Sequence, residues 1–238
     1  MKRNNPSQSI GVRRPRAVGP MSRSRAILFA ALFFAGGMSG GNCTISMPNP
    51  GGGNPGGGGT TGGPQLLPED HVLGDASASV IVFEYGDMQC PFCGFFARND
   101  FPGIRQTYID TGKIRFVFRH FPLAQHDRAD DAARASECAA DQGMFFEFHD
   151  LVFLDLKDNI APTDARLREL ADSLGLDLAQ FDACFPPGDA KRPRVQQDVA
   201  SGQALGVSAT PTFFVNGVLT DRTNLTKEID RQLNALGG

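Results

Sequence analysis

The stretch FEYGDMQCPFC, residues 83–93, decides the fold, because two cysteines join a predicted strand to a predicted helix. Residues 79–85 (SVIVFEY) are apolar and β-branched, which predicts a buried strand. Residues 94–109 (GFFARNDFPGIRQTYI) follow with a helical pattern. Pro91 suits the first helical turn, because the amide hydrogen that it lacks would have no partner there. The cysteines therefore lie where a strand ends and a helix begins.

Two cysteines separated by two residues can cycle between a dithiol and a disulfide, so the motif predicts electron transfer between thiols. Cys90 lies at the positive end of the helix dipole, and this position lowers a cysteine pKa from about 8.5. We expect Cys90 to react first and the more buried Cys93 to resolve a mixed disulfide. Phe95 and Phe96 are predicted to enter the core, whereas Phe92 is predicted on a surface that faces a substrate.

The first 68 residues differ in composition from the rest of the chain. Residues 1–25 hold seven Lys and Arg and no acid, and residues 26–35 (AILFAALFFA) form an apolar run. Ten residues are short for a membrane-spanning helix of about 20 but typical of a secretory signal. We interpret residues 1–43 as a signal peptide or a lipoprotein signal. Translation from Met21 instead of Met1 would give this signal ordinary proportions.

Cys43 occupies the place where a bacterial lipoprotein carries its lipidated cysteine. It follows the small-residue stretch GGMSGGN and precedes the Gly/Pro-rich segment 44–68. The residues directly before Cys43 match a lipobox only loosely, so lipidation and ordinary cleavage both stay open. We predict that residues 44–68 form a disordered linker with a root-mean-square reach of roughly 25–30 Å. Lipidation of Cys43 would therefore tether the following domain to a membrane.

The charge of the remaining chain argues against a nucleic-acid partner. Of 23 Lys and Arg residues, seven lie in the predicted signal, which leaves 16 against 26 Asp and Glu, a net charge near −10. A nucleic-acid-binding domain would instead carry a basic face. Residues 69–238 have a usual length for one domain with its own core. The composition therefore favours a single exported domain.

The order of predicted elements is strand, helix, strand, a block of helices, a hairpin and a last helix. Residues 113–120 (KIRFVFRH) form the second predicted strand, and the pattern is helical from about 127 to 206. Strand character returns at 212–215, where Asn216-Gly217 predicts a hairpin turn. This order predicts an α/β fold whose sheet is covered by helices, with a helical subdomain inserted at about 127–206.

Three separated motifs carry a resemblance to a known family. They are FEYGDMQCPFC at 83–93, FPLAQHDRADDAARASECAADQGMFFEFHD at 121–150 and VQQDVASGQALGVSATPTFFVNG at 195–217. In this order they resemble the DsbA-like disulfide oxidoreductases, which have a thioredoxin-like fold with a helical insertion. The resemblance covers residues 69–238. It implies thiol–disulfide exchange without a cofactor, exported cysteine-containing substrates, and a membrane or periplasmic redox partner.

The resemblance also assigns roles to residues near the cysteines. Thr210 would precede a cis-proline, Pro211, and face the redox pair, where the substrate backbone binds. Phe92 and Pro91 would contribute to the same substrate-binding surface. Because only about 5–6% of X–Pro bonds in folded proteins are cis, the cis assignment rests on the resemblance. The alternative is a trans proline that opens the strand.

Glu84 lies six residues before Cys90 and matches a buried acid that related enzymes place near the active-site thiols. There it would relay the proton of Cys93; the alternative is a Glu84 that faces solvent on a sheet edge. The resemblance further implies a second, structural disulfide between Cys138 and Cys184, and the alternative is two buried free thiols.

Other uses of the CxxC motif stay open. A CxxC can bind copper or zinc, and four histidines could add ligands: His71, His120, His126 and His149. None of them lies at zinc-finger spacing and the chain has no second CxxC, so we predict no metal site. The resemblance favours an oxidase, with a reductase or isomerase as alternatives. A different class is a tethered peptide-binding chaperone whose CxxC is only structural.

Overall fold

The computed structural model describes residues 62–155, 161–185 and 190–237. The predicted signal 1–43, with Cys43, and the linker as far as residue 61 lie outside the described residues. No helix in the described part of the chain is long and apolar enough to cross a membrane.

A mixed sheet forms the centre of the described structure. Its strands are β1 His71–Leu73, β2 Val80–Gly86, β3 Ile114–His120, β4 Thr212–Val215 and β5 Val218–Thr220. Their order across the sheet is β1-β3-β2-β4-β5, with β2 and β3 parallel and the other pairs antiparallel. Asn216 and Gly217 form the predicted turn between β4 and β5, with φ values of 46° and 83°. Strand β1 was not predicted, because three residues are too few to show an alternating pattern.

The helices cover this sheet. They are α1 Pro91–Asn99, α2 Phe101–Ile104, α3 Ala129–Ala140, α4 Phe145–Asp155, α5 Asp164–Ser173, α6 Leu178–Cys184, α7 Arg192–Ala204 and α8 Leu225–Leu236. Helices α3 to α7 lie between β3 and β4 in the chain and form the predicted insert. The predicted helix over 94–109 is instead divided into α1, α2 and a π-helical segment, Arg105–Ile109. Pro102, which cannot donate to the helical hydrogen-bond ladder, lies in the first turn of α2.

Strand β2 separates two apolar clusters. Val80 and Val82 belong to the larger cluster, which includes residues of α1 and of the insert, whereas Phe83 and Tyr85 belong to a smaller cluster. Successive side chains of a strand point to opposite faces, so the two sets alternate. Helix α7 approaches the smaller cluster at Gly202, where a Cβ atom would lie 2.8 Å from the Phe121 ring. The predicted α/β class, with both faces of the sheet covered, is confirmed.

A buried arginine links the start of the folded part to the sheet. Arg119 on β3 is 1% exposed and donates two hydrogen bonds of 2.8 Å to the Asp70 carboxylate. It also donates to the Tyr85 hydroxyl at 3.1 Å and to the backbone oxygen of Gln65. Gln65 belongs to the segment predicted as linker, so the folded part begins before the predicted boundary at residue 69.

A disulfide joins two helices of the insert. Cys138 on α3 and Cys184 at the end of α6 are bonded, with a Cα–Cα distance of 5.8 Å and a sequence separation of 46. This is the pair that the resemblance implies. Cys90 and Cys93 are free thiols in the structure, so the redox pair and the structural bridge are separate.

Candidate active site

Cys90 is held at the N-terminus of α1 by the loop that follows β2. Its backbone N–H donates to the carbonyl of Asp87 at 3.0 Å, and Pro91 begins the helix. The Cys90 thiol donates to the backbone oxygen of Thr210 at 3.4 Å. The Thr210–Pro211 peptide bond is cis, as the resemblance implies. The fold therefore brings together the cysteine pair and a loop that lies about 120 residues further along the chain.

The environment of Cys90 favours its thiolate. The hydrogen bond with the Cys93 thiol lowers the pKa of Cys90 to about 6, although burial opposes this effect. The backbone N–H groups of Cys93 and Phe92 contribute further. The Thr210 hydroxyl oxygen is buried and has no partner among the described residues. At neutral pH the Cys90 sulfur is therefore mostly a nucleophilic thiolate.

Cys93 has the opposite character. It is fully buried, and burial raises its pKa well above the ordinary value, as does the hydrogen bond with Cys90; ionisation of Glu84 would raise this pKa further. The backbone N–H of Asp87 donates a hydrogen bond to the Cys93 sulfur at 3.5 Å, and this hydrogen bond lowers the pKa of Cys93. The two thiols thus differ in the way expected of an attacking and a resolving cysteine.

Glu84 lies beneath α1 on the central strand β2. It points to the same face of the sheet as Val82, which shares the larger apolar cluster with Cys93. Strand β2 is paired on both sides, so Glu84 does not face solvent on an edge. Burial raises the pKa of Glu84 well above the ordinary value, and the negative charge of the Cys90 thiolate raises it further. One of its carboxyl oxygens has no partner among the described residues.

Glu84→Gln should stabilise the protein progressively as the pH rises above about 5. The folded protein retains the Glu84 proton that the unfolded chain loses above about pH 4.3, so this group costs up to about 1.4 kcal/mol per pH unit until the raised pKa is reached. Denaturant unfolding of the oxidised protein between pH 4.5 and 8 measures the effect. A difference between variant and wild type that is constant over this range would contradict a protonated Glu84.

Two aromatic residues of the active-site helix are exposed. Phe92, between the cysteines, is 71% exposed, as predicted for a substrate-facing residue. Phe95 is 45% exposed, so its predicted position in the core is wrong, whereas Phe96 is buried as predicted. Cys93 and Phe96 are buried side chains of α1, whereas Phe92 and Phe95 are exposed. The Arg222 guanidinium lies 4.7 Å from the centre of the Phe95 ring.

The sequence pattern did not single out Asp87. Its carboxylate is buried and accepts a hydrogen bond from Nδ1 of His126 at 2.7 Å. The only signal for it was an acidic residue placed directly after a buried strand and before the CxxC. His149, another of the four histidines considered as possible metal ligands, contacts Asp150, with 2.9 Å between Nδ1 and the carboxylate.

The two remaining histidines form a cluster away from the CxxC. Nε2 atoms of His71 and His120 lie 2.7 and 3.0 Å from the same carboxylate oxygen of Glu137. Burial opposes ionisation of Glu137, yet these hydrogen bonds hold its pKa well below the ordinary value. A metal-bound histidine normally donates from its other nitrogen, but Nδ1 of His120 has no partner among the described residues. We therefore interpret the cluster as a hydrogen-bonded group of two histidines around the Glu137 carboxylate.

Among the described residues, no group of three metal-binding side chains includes Cys90 or Cys93. The CxxC thus has neighbours suited to thiol chemistry: a carbonyl and hydroxyl at Thr210, a buried acid at Glu84 and a backbone donor at Asp87. A mixed five-stranded sheet with a CxxC at the start of its first long helix and a cis-proline loop opposite defines a thioredoxin-fold protein with a redox site.

Comparisons with known proteins agree with this class. The sequence profile of the family described as thioredoxin matches residues 67–235. The crystal structure of Wolbachia pipientis α-DsbA1 superposes with a TM-score of 0.60 and 30% sequence identity, covering 71% of this chain and 94% of that one. A Rickettsia typhi protein named as a protein-disulfide oxidoreductase is 32% identical over 171 residues, which cover 69% of this chain and 62% of that protein.

The chain belongs to the thioredoxin family, and within it to the DsbA-like proteins. A further relative is the Na⁺/H⁺ antiporter NhaA 3 of Salinispora tropica, which is 42% identical over 149 residues. That match covers 62% of this chain but only 22% of the antiporter, so the chain spans about a fifth of that relative's length.

Proposed function

We propose that the protein is an exported thiol–disulfide oxidoreductase of the DsbA type, which introduces disulfides into exported proteins. The observation that carries this proposal is the pairing of two unlike thiols. Cys90 has a pKa of about 6 and faces Thr210, whereas Cys93 is buried with a raised pKa. Such a pair is suited to attack at one sulfur and release from the other.

The reaction begins from the oxidised protein, in which Cys90 and Cys93 form a disulfide. The thiolate of a substrate cysteine attacks the Cys90 sulfur, a mixed disulfide forms, and Cys93 leaves as a thiolate that then takes a proton. Glu84, protonated in the buried site, is the acid whose ionisation is coupled to that of Cys93, so we assign it the proton relay. A second substrate thiolate attacks the substrate sulfur and releases the Cys90 thiolate. The substrate gains a disulfide and the protein ends as the dithiol.

The substrate is proposed to lie against the cis-proline loop. Thr210 and Pro211 precede β4, and an extended peptide segment could add backbone hydrogen bonds beside them. Phe92 is exposed next to Cys90, and Pro91 beside it is also exposed, so both would contact the substrate. A membrane or periplasmic redox partner would then oxidise the pair again. We propose that the protein acts as a monomer.

The Cys90 pKa supports the oxidising direction. A thiol with a pKa of about 6 is about nine-tenths ionised at pH 7. Relative to a cysteine of ordinary pKa, this ionisation stabilises the reduced protein by about 1.4 kcal/mol, which raises the reduction potential by about 30 mV. The disulfide form is therefore a stronger oxidant than it would be with a Cys90 of ordinary pKa. This rise in the reduction potential is smaller than the rise that a thiol with a pKa near 3.5 would give.

We expect a reduction potential between the value of about −270 mV for thioredoxin and the value of about −120 mV for DsbA. Equilibration of residues 62–238 with glutathione redox buffers at pH 7, followed by alkylation and mass measurement, gives this potential. The pH dependence of thiolate absorbance gives the Cys90 pKa in the same preparation. A potential at or below about −270 mV would contradict the oxidase direction and favour a reductase.

Export and tethering are part of the proposal and rest on the leader sequence. The apolar run at 26–35 and Cys43 support a secretory or lipoprotein signal. The Cys138–Cys184 disulfide is consistent with an oxidising compartment. Mass measurement of the mature N-terminus, isolated from membrane and soluble fractions of a bacterial host, distinguishes a lipidated Cys43 from ordinary cleavage.

A further inference from the structure

The carboxylate of Asp87, in the loop before Cys90, has three hydrogen-bond partners. One oxygen accepts the backbone N–H of Gln89 at 2.7 Å. The other accepts the backbone N–H of Leu123 at 2.8 Å and lies 2.7 Å from Nδ1 of His126. The Asp87 side chain is fully buried, so these three donors replace the water that an ionised carboxylate would otherwise require. The loop is thereby joined to the segment that leads into α3.

The backbone amide of the same residue points to the resolving cysteine. Asp87 N lies 3.5 Å from the Cys93 sulfur, and both groups are buried. Apart from Cys90, it is the hydrogen-bond partner of this sulfur in the described part of the chain. A buried thiolate has no water to stabilise it, so a fixed N–H donor is the means left to lower its free energy.

We propose that Asp87 is a positioning residue whose anchored carboxylate holds its own amide against Cys93, so that the amide stabilises the thiolate that leaves when the disulfide opens. The inference rests on the proposed thiol–disulfide exchange. In that step the substrate sulfur bonds to Cys90, the Cys90–Cys93 bond breaks, and the electron pair of that bond goes to the Cys93 sulfur. The amide donates its hydrogen bond to this sulfur while the negative charge develops.

The carboxylate itself would have the opposite effect on Cys93. A negative charge near a developing thiolate raises its free energy, whereas a nearby N–H lowers it. Loss of Asp87 therefore slows the opening of the disulfide if the residue acts through its amide, and speeds it if the residue acts through its charge. Whether the opening rate falls or rises therefore distinguishes an effect of the amide from an effect of the charge.

Asp87→Ala tests this in the otherwise unchanged protein. The oxidised protein is mixed with reduced glutathione at pH 7, and acid-quenched samples are weighed to give the rate of disulfide opening. We expect an opening rate about tenfold slower than wild type, the effect of losing one hydrogen bond to a charged group. The reduction potential should stay close to wild type, because Cys93 is protonated in the reduced protein at this pH.

A faster or unchanged opening rate would overturn the proposal. A slower rate would also overturn it if the pKa of Cys90 returned toward its ordinary value and the reduction potential fell, because those changes together indicate general damage to the site. Asp75→Ala is the matched control: its carboxylate also accepts a following backbone N–H, from Ser77 at 2.8 Å, but at the opposite end of β2. This variant should open at the wild-type rate.

A second variant covers the case in which Asp87→Ala does not fold. His126→Ala removes one of the three donors and leaves the Asp87 carboxylate and its amide in place. We expect a slowing in the same direction and smaller than tenfold; an unchanged rate in this variant overturns the proposal. If wild-type protein itself does not react with glutathione, the proposed function fails, and that result is distinct from a failure of the Asp87 inference.

Discussion

Cys90→Ser should reduce thiol–disulfide exchange by on the order of 10³-fold or more, because a hydroxyl cannot replace the thiolate that forms the mixed disulfide. The variant cannot form the Cys90–Cys93 disulfide, so it offers the thiolate of a reduced substrate no bond to attack. Oxidation of a reduced dithiol peptide by the oxidised protein, followed by chromatography, measures the rate. A wild-type rate no higher than that of this variant would favour the alternative of a peptide-binding chaperone with a structural CxxC.

Cys93→Ser is the matched control for this result. The variant keeps Cys90 but lacks the buried thiol that resolves the intermediate. When it is mixed with the disulfide form of the peptide, the Cys90 thiolate attacks that disulfide, one peptide sulfur leaves as a thiol, and the mixed disulfide at Cys90 should accumulate. Intact-mass measurement would detect one peptide per protein under non-reducing conditions. Accumulation at any other cysteine would show that the assignment of the two roles is wrong.

Removal of the Cys138–Cys184 bridge should lower the free energy of unfolding by about 4 kcal/mol. The bond closes a loop with a sequence separation of 46, and cross-linking a loop of this length removes entropy from the unfolded chain. The double variant Cys138→Ala and Cys184→Ala is compared with its parent by denaturant unfolding. Both proteins carry Cys90→Ala and Cys93→Ala, so that the redox pair does not contribute.

The same double variant made in the wild-type background is the control for function. Cys138 and Cys184 lie on α3 and α6, whereas exchange takes place at the start of α1, so the exchange rate per folded molecule should be retained. A loss of exchange without a loss of stability would mean that the bridge takes part in electron transfer.

Most of the sheet could be predicted from sequence because its strands are buried and the turns are marked. Strands β2, β3 and β4 are apolar runs, and the Asn216-Gly217 turn requires the positive φ values that Asn and Gly adopt at low cost. Strand β1 could not be predicted, since its three residues owe their conformation to pairing with β3. The start of the folded part was misplaced for a related reason: Gln65 is held by Arg119, which lies 54 positions further along the chain.

Those parts of the candidate site could be predicted from sequence in which thiol chemistry requires a particular type of residue. The two cysteines and the Thr210-Pro211 pair form motifs, and the resemblance added Glu84. Asp87 was missed because an acidic residue in a loop is ordinarily solvated; its importance appears only when Leu123 and His126 are found against its carboxylate. Phe95 was misplaced because apolar character alone does not determine which face of a helix a residue occupies.

The exposed ring of Phe92 next to a nearly inaccessible cysteine has a consequence for the choice of substrates. Cys90 is 2% exposed, so a partner sulfur must be carried into the site on a segment free to bend toward it. Cysteines fixed inside a folded protein do not meet this condition, whereas those on chains that have not yet folded do, and such chains also expose apolar side chains that can contact Phe92. Selection would thus depend on how far a protein has folded and very little on the residues that flank its cysteines.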